Sequence, residues 1–172
     1  MAFTYSLLAE STIGVSGAST ITFNNIPQNY TDLVLYTSLR DSASSVSTNY
    51  YITINNSNTS IYSRKNIYGT GTAVGTTTGA DTVAYIGYSN SNTATVNTFG
   101  NGMTYIPNYT SSNYKSISSE TVAESNTVAV SMALTAGLYS SPTAVTSIQV
   151  QPWTGPFLQY STATLYGIRV EI

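Results

Sequence analysis

The chain of 172 residues contains neither cysteine nor histidine. Without cysteine there are no disulfides, thiolate metal sites or thiol catalysis, and the redox compartment stays open. Without histidine the chain lacks the commonest general base and the commonest zinc ligand, and with them the Ser-His-Asp and Cys-His catalytic arrangements. These absences remove the commonest catalytic and zinc-binding arrangements, and we expect no metal and no cofactor.

Charge is also scarce, at 7% of residues against roughly 25% in an average soluble protein. The five basic residues are scattered and the net charge is −2, so we expect no nucleic-acid partner. Hydroxyl, amide and tyrosine side chains must cover the surface. A surface with so little charge is poorly protected against association, which suits a crowded assembly. A monomeric β protein with hydroxyl-rich faces would have the same composition.

Long apolar runs are missing as well. No stretch approaches the ~18 apolar residues of a membrane span, and the first residues lack the basic and apolar regions of a signal peptide. We therefore expect a soluble protein that is not exported by the Sec route and has no membrane partner. The length fits a single domain, residues 1–172, that buries roughly 70% of its unfolded surface around one core.

The clearest local signal is the segment 23–40, which reads FNNIPQNYTDLVLYTSLR. Pro27 fixes its own φ angle and keeps the preceding residue extended, which predicts a pre-shaped corner. Strict alternation follows, which is typical of a strand with one buried face. The predicted core face carries Leu33, Leu35, Thr37 and Leu39. The polar run after residue 40 is interpreted as a surface loop, so charge changes at Asp41 are expected to be tolerated.

Further segments have β character, and no helical periodicity of useful length occurs. Among the predicted strands are 50–55, 95–99, 127–134, 145–151 and 162–172. We expect 127–134 to be the best buried strand after 32–40, with Val128, Val130, Met132 and Leu134 on one face and Ala129, Ser131 and Ala133 on the other. About ten strands with frequent turn signals predict an all-β fold, an antiparallel β-sandwich of jelly-roll type, with a barrel as the nearest alternative.

The segment 69–80, GTGTAVGTTTGA, has the most flexible composition in the chain. It predicts a flexible, exposed loop or arm rather than a folded element. A phosphate-binding loop is disfavoured, because the lysine and the helix that this mechanism needs do not follow.

Few residues could carry chemistry. Glu120 and Glu124 would lie ~13 Å apart on an extended strand, beyond the ~5–9.5 Å of glycoside hydrolases, unless a turn brought them closer. We interpret them as solvated loop charges, and Asp81 as a turn or surface residue. The 15 tyrosines favour core or interface positions over a saccharide platform. The single tryptophan, Trp153, in a loop bounded by two prolines, is the candidate saccharide contact.

Four groups of short motifs resemble, in the same order, a widespread group of virion structural proteins of tailed phages, frequent in marine and cyanobacterial phages. The first group is Phe23 with IPQ at 26–28 and YTDLVL at 30–35. The others are IPNY at 106–109 with YKS at 114–116, AVTSI at 144–148, and STATLYGI at 161–168. The continuation 169–172 makes the last strand slightly longer than the family pattern.

The resemblance implies a non-enzymatic particle component. The main expectation is a capsid decoration (cement) protein that binds the outer shell as a homo-oligomer, expected to be a trimer. Its partners would be the major capsid protein and itself. It would be assembled in the host cytoplasm and located on the capsid exterior. The alternative is a tail-fibre or receptor-binding module that recognises host surface polysaccharide, with Trp153 as a contact. The chain lacks the coiled-coil or repeat segment typical of fibres, which favours the decoration protein.

Overall fold

The structure, a computed structural model, describes residues 2–126 and 131–171. This part of the chain contains twelve strands and no helix, which confirms the all-β prediction. The strands are β1 (Ala2–Thr12), β2 (Ile21–Phe23), β3 (Asp32–Leu39), β4 (Ser47–Ile54), β5 (Tyr62–Gly69), β6 (Val74–Asp81), β7 (Ala84–Asn90), β8 (Gly100–Ile106), β9 (Lys115–Ala123), β10 (Ser131–Tyr139), β11 (Ile148–Pro152) and β12 (Thr162–Glu171).

The strands form two antiparallel sheets that pack face to face as a sandwich. The large sheet has the order β1-β12-β3-β8-β9-β10-β5-β6, and the small sheet has the order β2-β11-β4-β7. Strand β7 of the small sheet packs across β9 and β10 of the large one. An arrangement of eight plus four strands does not confirm the jelly-roll connectivity, which arranges eight strands as two Greek keys.

The predicted core strand lies in the large sheet between β12 and β8 as β3. Leu33, Leu35 and Leu39 are at most 1% exposed and face the small sheet, as their alternation predicts. The opposing core residues include Ile52 and Ile54 of β4, which are fully buried. Alternation along one strand was therefore sufficient to identify the centre of the core.

In segment 127–134, predicted to be the best buried strand after 32–40, the described large apolar side chains are exposed. Residues 127–130 lie outside the described residues, and in β10 Met132 and Leu134 are 58% and 60% exposed while Ala133 is buried. The interior here has room only for small side chains, because β7 approaches closely. A Cβ on Gly87 of β7 would lie 2.0 Å from the hydroxyl oxygen of Thr121 in β9. Small and hydroxyl side chains therefore face inward, and the large apolar ones face out.

The flexible loop predicted at 69–80 is mostly strand. Strands β5 and β6 form an antiparallel hairpin joined at residues 70–73, with Ile67 paired with Thr76. Threonine is a good strand former, and here its side chains line an exposed edge strand. The end of the Tyr68 ring lies over Gly75 of the partner strand, where a Cβ would be 2.5 Å away and would displace the ring. The glycine thus leaves room for the Tyr68 ring to pack against β6 of the hairpin.

The strand predicted at 95–99 is instead part of a loop, and it encloses a buried guanidinium group. Arg40 is only 7% exposed and follows β3 directly. Its nitrogen atoms donate hydrogen bonds of 2.8–3.3 Å to the carbonyl oxygens of Asn92, Ala94, Thr95 and Thr98. These carbonyl groups point at the guanidinium, so they cannot form a strand ladder. We call residues 91–99 the arginine loop.

The expectation that Asp41 is a tolerant surface residue is also wrong. The residue is fully buried. Its carboxylate accepts hydrogen bonds from the hydroxyls of Thr48 at 2.5 Å and Ser89 at 2.6 Å and from the backbone N–H of Ala43 at 3.0 Å. Several neutral donors can compensate the desolvation of a carboxylate. Changing its charge is therefore expected to destabilise the fold.

Buried tyrosines predict an alkaline limit to stability. Burial, together with the nearby Tyr139, outweighs a backbone hydrogen bond from Ile54 and raises the pKa of Tyr62 to about 12. The folded state therefore holds this proton more tightly than the unfolded state, whose pKa is about 10. Its contribution to stability is complete below about pH 10 and is lost as the pH rises towards about 12. We expect the melting temperature to fall across this interval while tyrosinate absorbance appears.

The matched variants are Tyr62→Phe and Tyr160→Phe. Tyr62→Phe should make the fall in melting temperature shallower. Tyr160 is 66% exposed, so its variant should follow the parent protein. Equal slopes for all three proteins would contradict this assignment.

Candidate interaction surfaces

The acidic residues considered for catalysis are not brought together. Glu120 lies on the exposed side of β9, which stays extended through Ala123. Glu124 lies beyond the strand, is exposed and accepts a hydrogen bond from the backbone of Asn126. Asp81 forms an ion pair with Arg64, with 2.7 Å between nitrogen and oxygen. Within residues 2–126 and 131–171, no group of three or more acidic residues is placed to hold a metal ion.

The motif groups that carry the family resemblance meet at one end of the sandwich. We call this region the motif junction, which comprises residues 26–32, 106–115 and 143–147 together with Gly167. A Cβ on Gly167 would lie 2.5 Å from the Tyr30 ring, so glycine is needed there. The hydrogen bonds across the junction are Gln28 Nε2 to Val145 O at 3.0 Å, Asn108 N to Asp32 Oδ1 at 2.7 Å, and Val145 N to Tyr109 O at 2.9 Å. The motifs therefore have structural roles in this fold.

Lys115 belongs to the same junction and is almost completely buried, at 1% exposure. Its ammonium group donates hydrogen bonds to the carbonyl oxygens of Ser111 at 2.8 Å, Thr143 at 2.6 Å and Ser141 at 3.4 Å. Burial lowers the pKa of this lysine. The ammonium group thus ties two loops together and is not available to an external ligand.

The outward side of the large sheet, which we call the outer face, is unusually apolar. The large side chains on it that are at least 39% exposed are Tyr5, Leu7, Tyr36, Ile67, Val74, Val122, Met132 and Leu134. Tyr166 contacts both Tyr5 and Tyr36 edge to face, with ring centroids 6.4 Å and 5.9 Å apart. Apolar side chains thus reach from the β1 edge to the β6 edge of the sheet.

A groove of about 690 Å³ runs along this outer face. Tyr36 and Met103 stand on one side of it and Leu134 and Ile67 on the other. Among the described residues that line the groove, Glu120 alone is charged. An apolar groove with a single charge is suited to bind another apolar surface and not an ionic ligand.

The outward side of the small sheet has a different chemistry. Trp153 directly follows β11 and is 58% exposed, and the Tyr51 ring meets it edge to face at 5.7 Å. Three polar side chains continue from this pair along the sheet and hydrogen-bond to one another at 3.2–3.4 Å. Gln149 and Gln151 are half-buried, whereas Thr53 is buried and holds the two amides from below. We call these five residues the tryptophan row. Trp153, which the sequence predicted as a saccharide contact, is thus exposed and lies next to polar side chains.

Comparison with protein-family models and with curated proteins finds no match for this chain. In the described part of the chain, no helix is long and apolar enough to cross a membrane. The assignment of function therefore depends on the two surfaces and on the resemblance of the motifs.

Sequence reasoning did not find the outer face. Its apolar residues alternate just as core residues do, so their spacing alone does not show that they face outward. The tryptophan row could have been predicted from the sequence, because Gln149, Gln151 and Trp153 stand at every second position in QVQPW. That spacing places all three side chains on one side of a strand.

Proposed function

We propose that this protein is a non-enzymatic virion structural protein, a capsid decoration protein that binds the outside of the shell as a homo-oligomer. The observation that carries the proposal is the apolar outer face. Exposed apolar patches of this extent mark protein interaction sites. The resemblance of the motifs to tailed-phage virion proteins supports the same function.

The size of the outer face supports a protein partner. A large side chain presents roughly 150–250 Å² when it is fully exposed. The eight partly exposed side chains of the outer face therefore offer on the order of 800 Å² together. A standard protein interface buries roughly 800 Å² on each partner. We propose that the shell surface covers the outer face, and that neighbouring copies join in the expected trimer.

Stabilisation of the shell would follow from mass action. A protein that binds the assembled shell but not its dissociated subunits shifts the equilibrium towards assembly. Because few charges lie on the outer face, binding should depend only weakly on salt. Stabilisation of the shell would then require no catalytic residue.

Binding to purified particles that lack the protein tests the proposal. We expect the parent protein to bind in numbers that match the local threefold positions of the shell, and Leu134→Asp to lower the affinity at least tenfold. A carboxylate in the apolar groove would have to be desolvated on binding. The matched control is Val15→Asp, which changes a residue that is 82% exposed in the β1–β2 connection.

Three outcomes would contradict the proposal. Fewer than about a dozen copies per particle would exclude shell-wide decoration. Equal binding by the parent protein and Leu134→Asp would exclude the outer face as the contact. The third is a pair of results: sedimentation shows that Leu134→Asp dissociates an oligomer, and its binding to the shell is unchanged. In that case the outer face would be the contact between copies of this chain.

A further inference from the structure

We propose that the tryptophan row is a binding site for an uncharged saccharide chain. The row lies on the small sheet and shares no residue with the outer face, so this site does not depend on the shell-binding function. It would allow a particle component to hold a neutral polysaccharide on its solvent side.

The aromatic end of the row is pre-organised. Tyr51 meets the indole of Trp153 at an interplanar angle of 83°, so the two rings are in edge-to-face contact while the tryptophan stays 58% exposed. The backbone N–H of Trp153 also donates to the carbonyl of Asn49 at 2.9 Å, which anchors the loop to β4. A supported and exposed indole face is suited to stack on the apolar C–H face of a sugar ring.

The polar part of the row offers both donors and acceptors. Tyr51 donates to Gln151 Oε1 at 3.2 Å, and Gln149 Oε1 accepts from Thr53 at 3.3 Å and from Gln151 at 3.2 Å. The Gln149 side-chain nitrogen donates no hydrogen bond to another described residue. Carboxamides can pair with adjacent sugar hydroxyls, which also donate and accept. These mutual bonds hold the amides in place before a ligand arrives, which lowers the entropy cost of binding.

The dimensions and charge of the row define the ligand class. Residues 149–153 span about 13 Å along an extended strand, which accommodates a short oligosaccharide segment instead of a single sugar. None of the residues in β2, β4, β7 and β11, all of which the structure describes, is charged. No cation is available on these strands to pair with a uronate, sulfate or phosphate group. The proposed ligand is therefore neutral.

Intrinsic fluorescence gives a direct test, because Trp153 is the only tryptophan in the chain. The intact protein is screened on an array of neutral and acidic glycans, and the strongest neutral glycan is then used in a fluorescence titration. We expect saturable binding with a change in tryptophan emission, and no binding of alginate. Trp153→Ala should abolish array binding. Gln151→Leu, which keeps the fluorophore, should weaken the titrated affinity at least fivefold.

The control is Tyr160→Ala, which removes an exposed aromatic ring outside the row and should bind as the parent does. Circular dichroism and melting curves establish that each variant is folded. An array without any neutral hit, or Gln151→Leu with parental affinity, would overturn the proposal. Leu134→Asp should keep full glycan binding, so that failure of the saccharide site and failure of shell binding can be told apart.

Discussion

Replacing Leu35 by aspartate is expected to leave no folded protein at 25 °C. Leu35 is 1% exposed at the centre of β3, where it pairs with Leu165 of β12 and Thr104 of β8. An unpaired carboxylate there loses its hydration, which costs several kcal/mol, and the apolar burial of leucine is lost as well. Domains have only about 5–15 kcal/mol of stability in total. Circular dichroism and limited proteolysis of the purified variant would measure the effect.

The control for this prediction makes the same chemical change on the opposite surface. Leu134→Asp alters a leucine that is 60% exposed on the outer face, so the variant should fold and should melt within a few degrees of the parent protein. A soluble Leu35→Asp variant with a normal melting curve would show that β3 does not form the centre of the core.

Replacing Arg40 by methionine is expected to lower the free energy of unfolding by about 3–5 kcal/mol. The variant keeps an unbranched apolar stem but removes the guanidinium group, and so leaves the carbonyl groups of the arginine loop without donors. In a chain of this size the loss corresponds to a fall in melting temperature of roughly 10–15 °C. Hydrogen exchange should increase first in residues 91–99.

Lys65→Met provides the matched control. Lys65 is an exposed cation on the large sheet, so its replacement should change stability by less than about 0.5 kcal/mol. If Arg40→Met and Lys65→Met melted alike, the arginine loop would not depend on the guanidinium group. A uniform rise in hydrogen exchange over the whole chain would also count against a local role.

The two exposed surfaces of the protein, one on each sheet, differ in the chemistry of their side chains. The large sheet presents apolar side chains with Glu120 in their midst, whereas the small sheet presents tyrosine, tryptophan and carboxamides. Buried charges such as Arg40, Asp41 and Lys115 are satisfied by neutral partners inside the fold. The few charged residues of this chain are thus partly used for structure, which leaves both surfaces nearly neutral.

Local patterns predicted several elements correctly. Alternation identified β3 and its core face, and the corner predicted at Pro27 lies where the chain passes from β2 of the small sheet to β3 of the large one. Segment 69–80 was wrong because glycine and threonine are compatible with both a loop and an edge strand, and only pairing with β5 selects the strand. Segment 95–99 was wrong because its carbonyl groups bind Arg40, which is more than fifty residues away in sequence.

The order of apolar and polar residues along the chain was enough to establish an all-β fold, the strand β3 and the corner before it, since these depend on local backbone geometry. It could not establish which side of β10 is buried, that Asp41 is enclosed, or that Trp153 stands beside two glutamines. Those features depend on which strands become neighbours and on how closely β7 approaches β9. Because both faces of a strand have the same period of two residues, alternation does not show which side of β10 is buried, and that choice is made when the two sheets pack together.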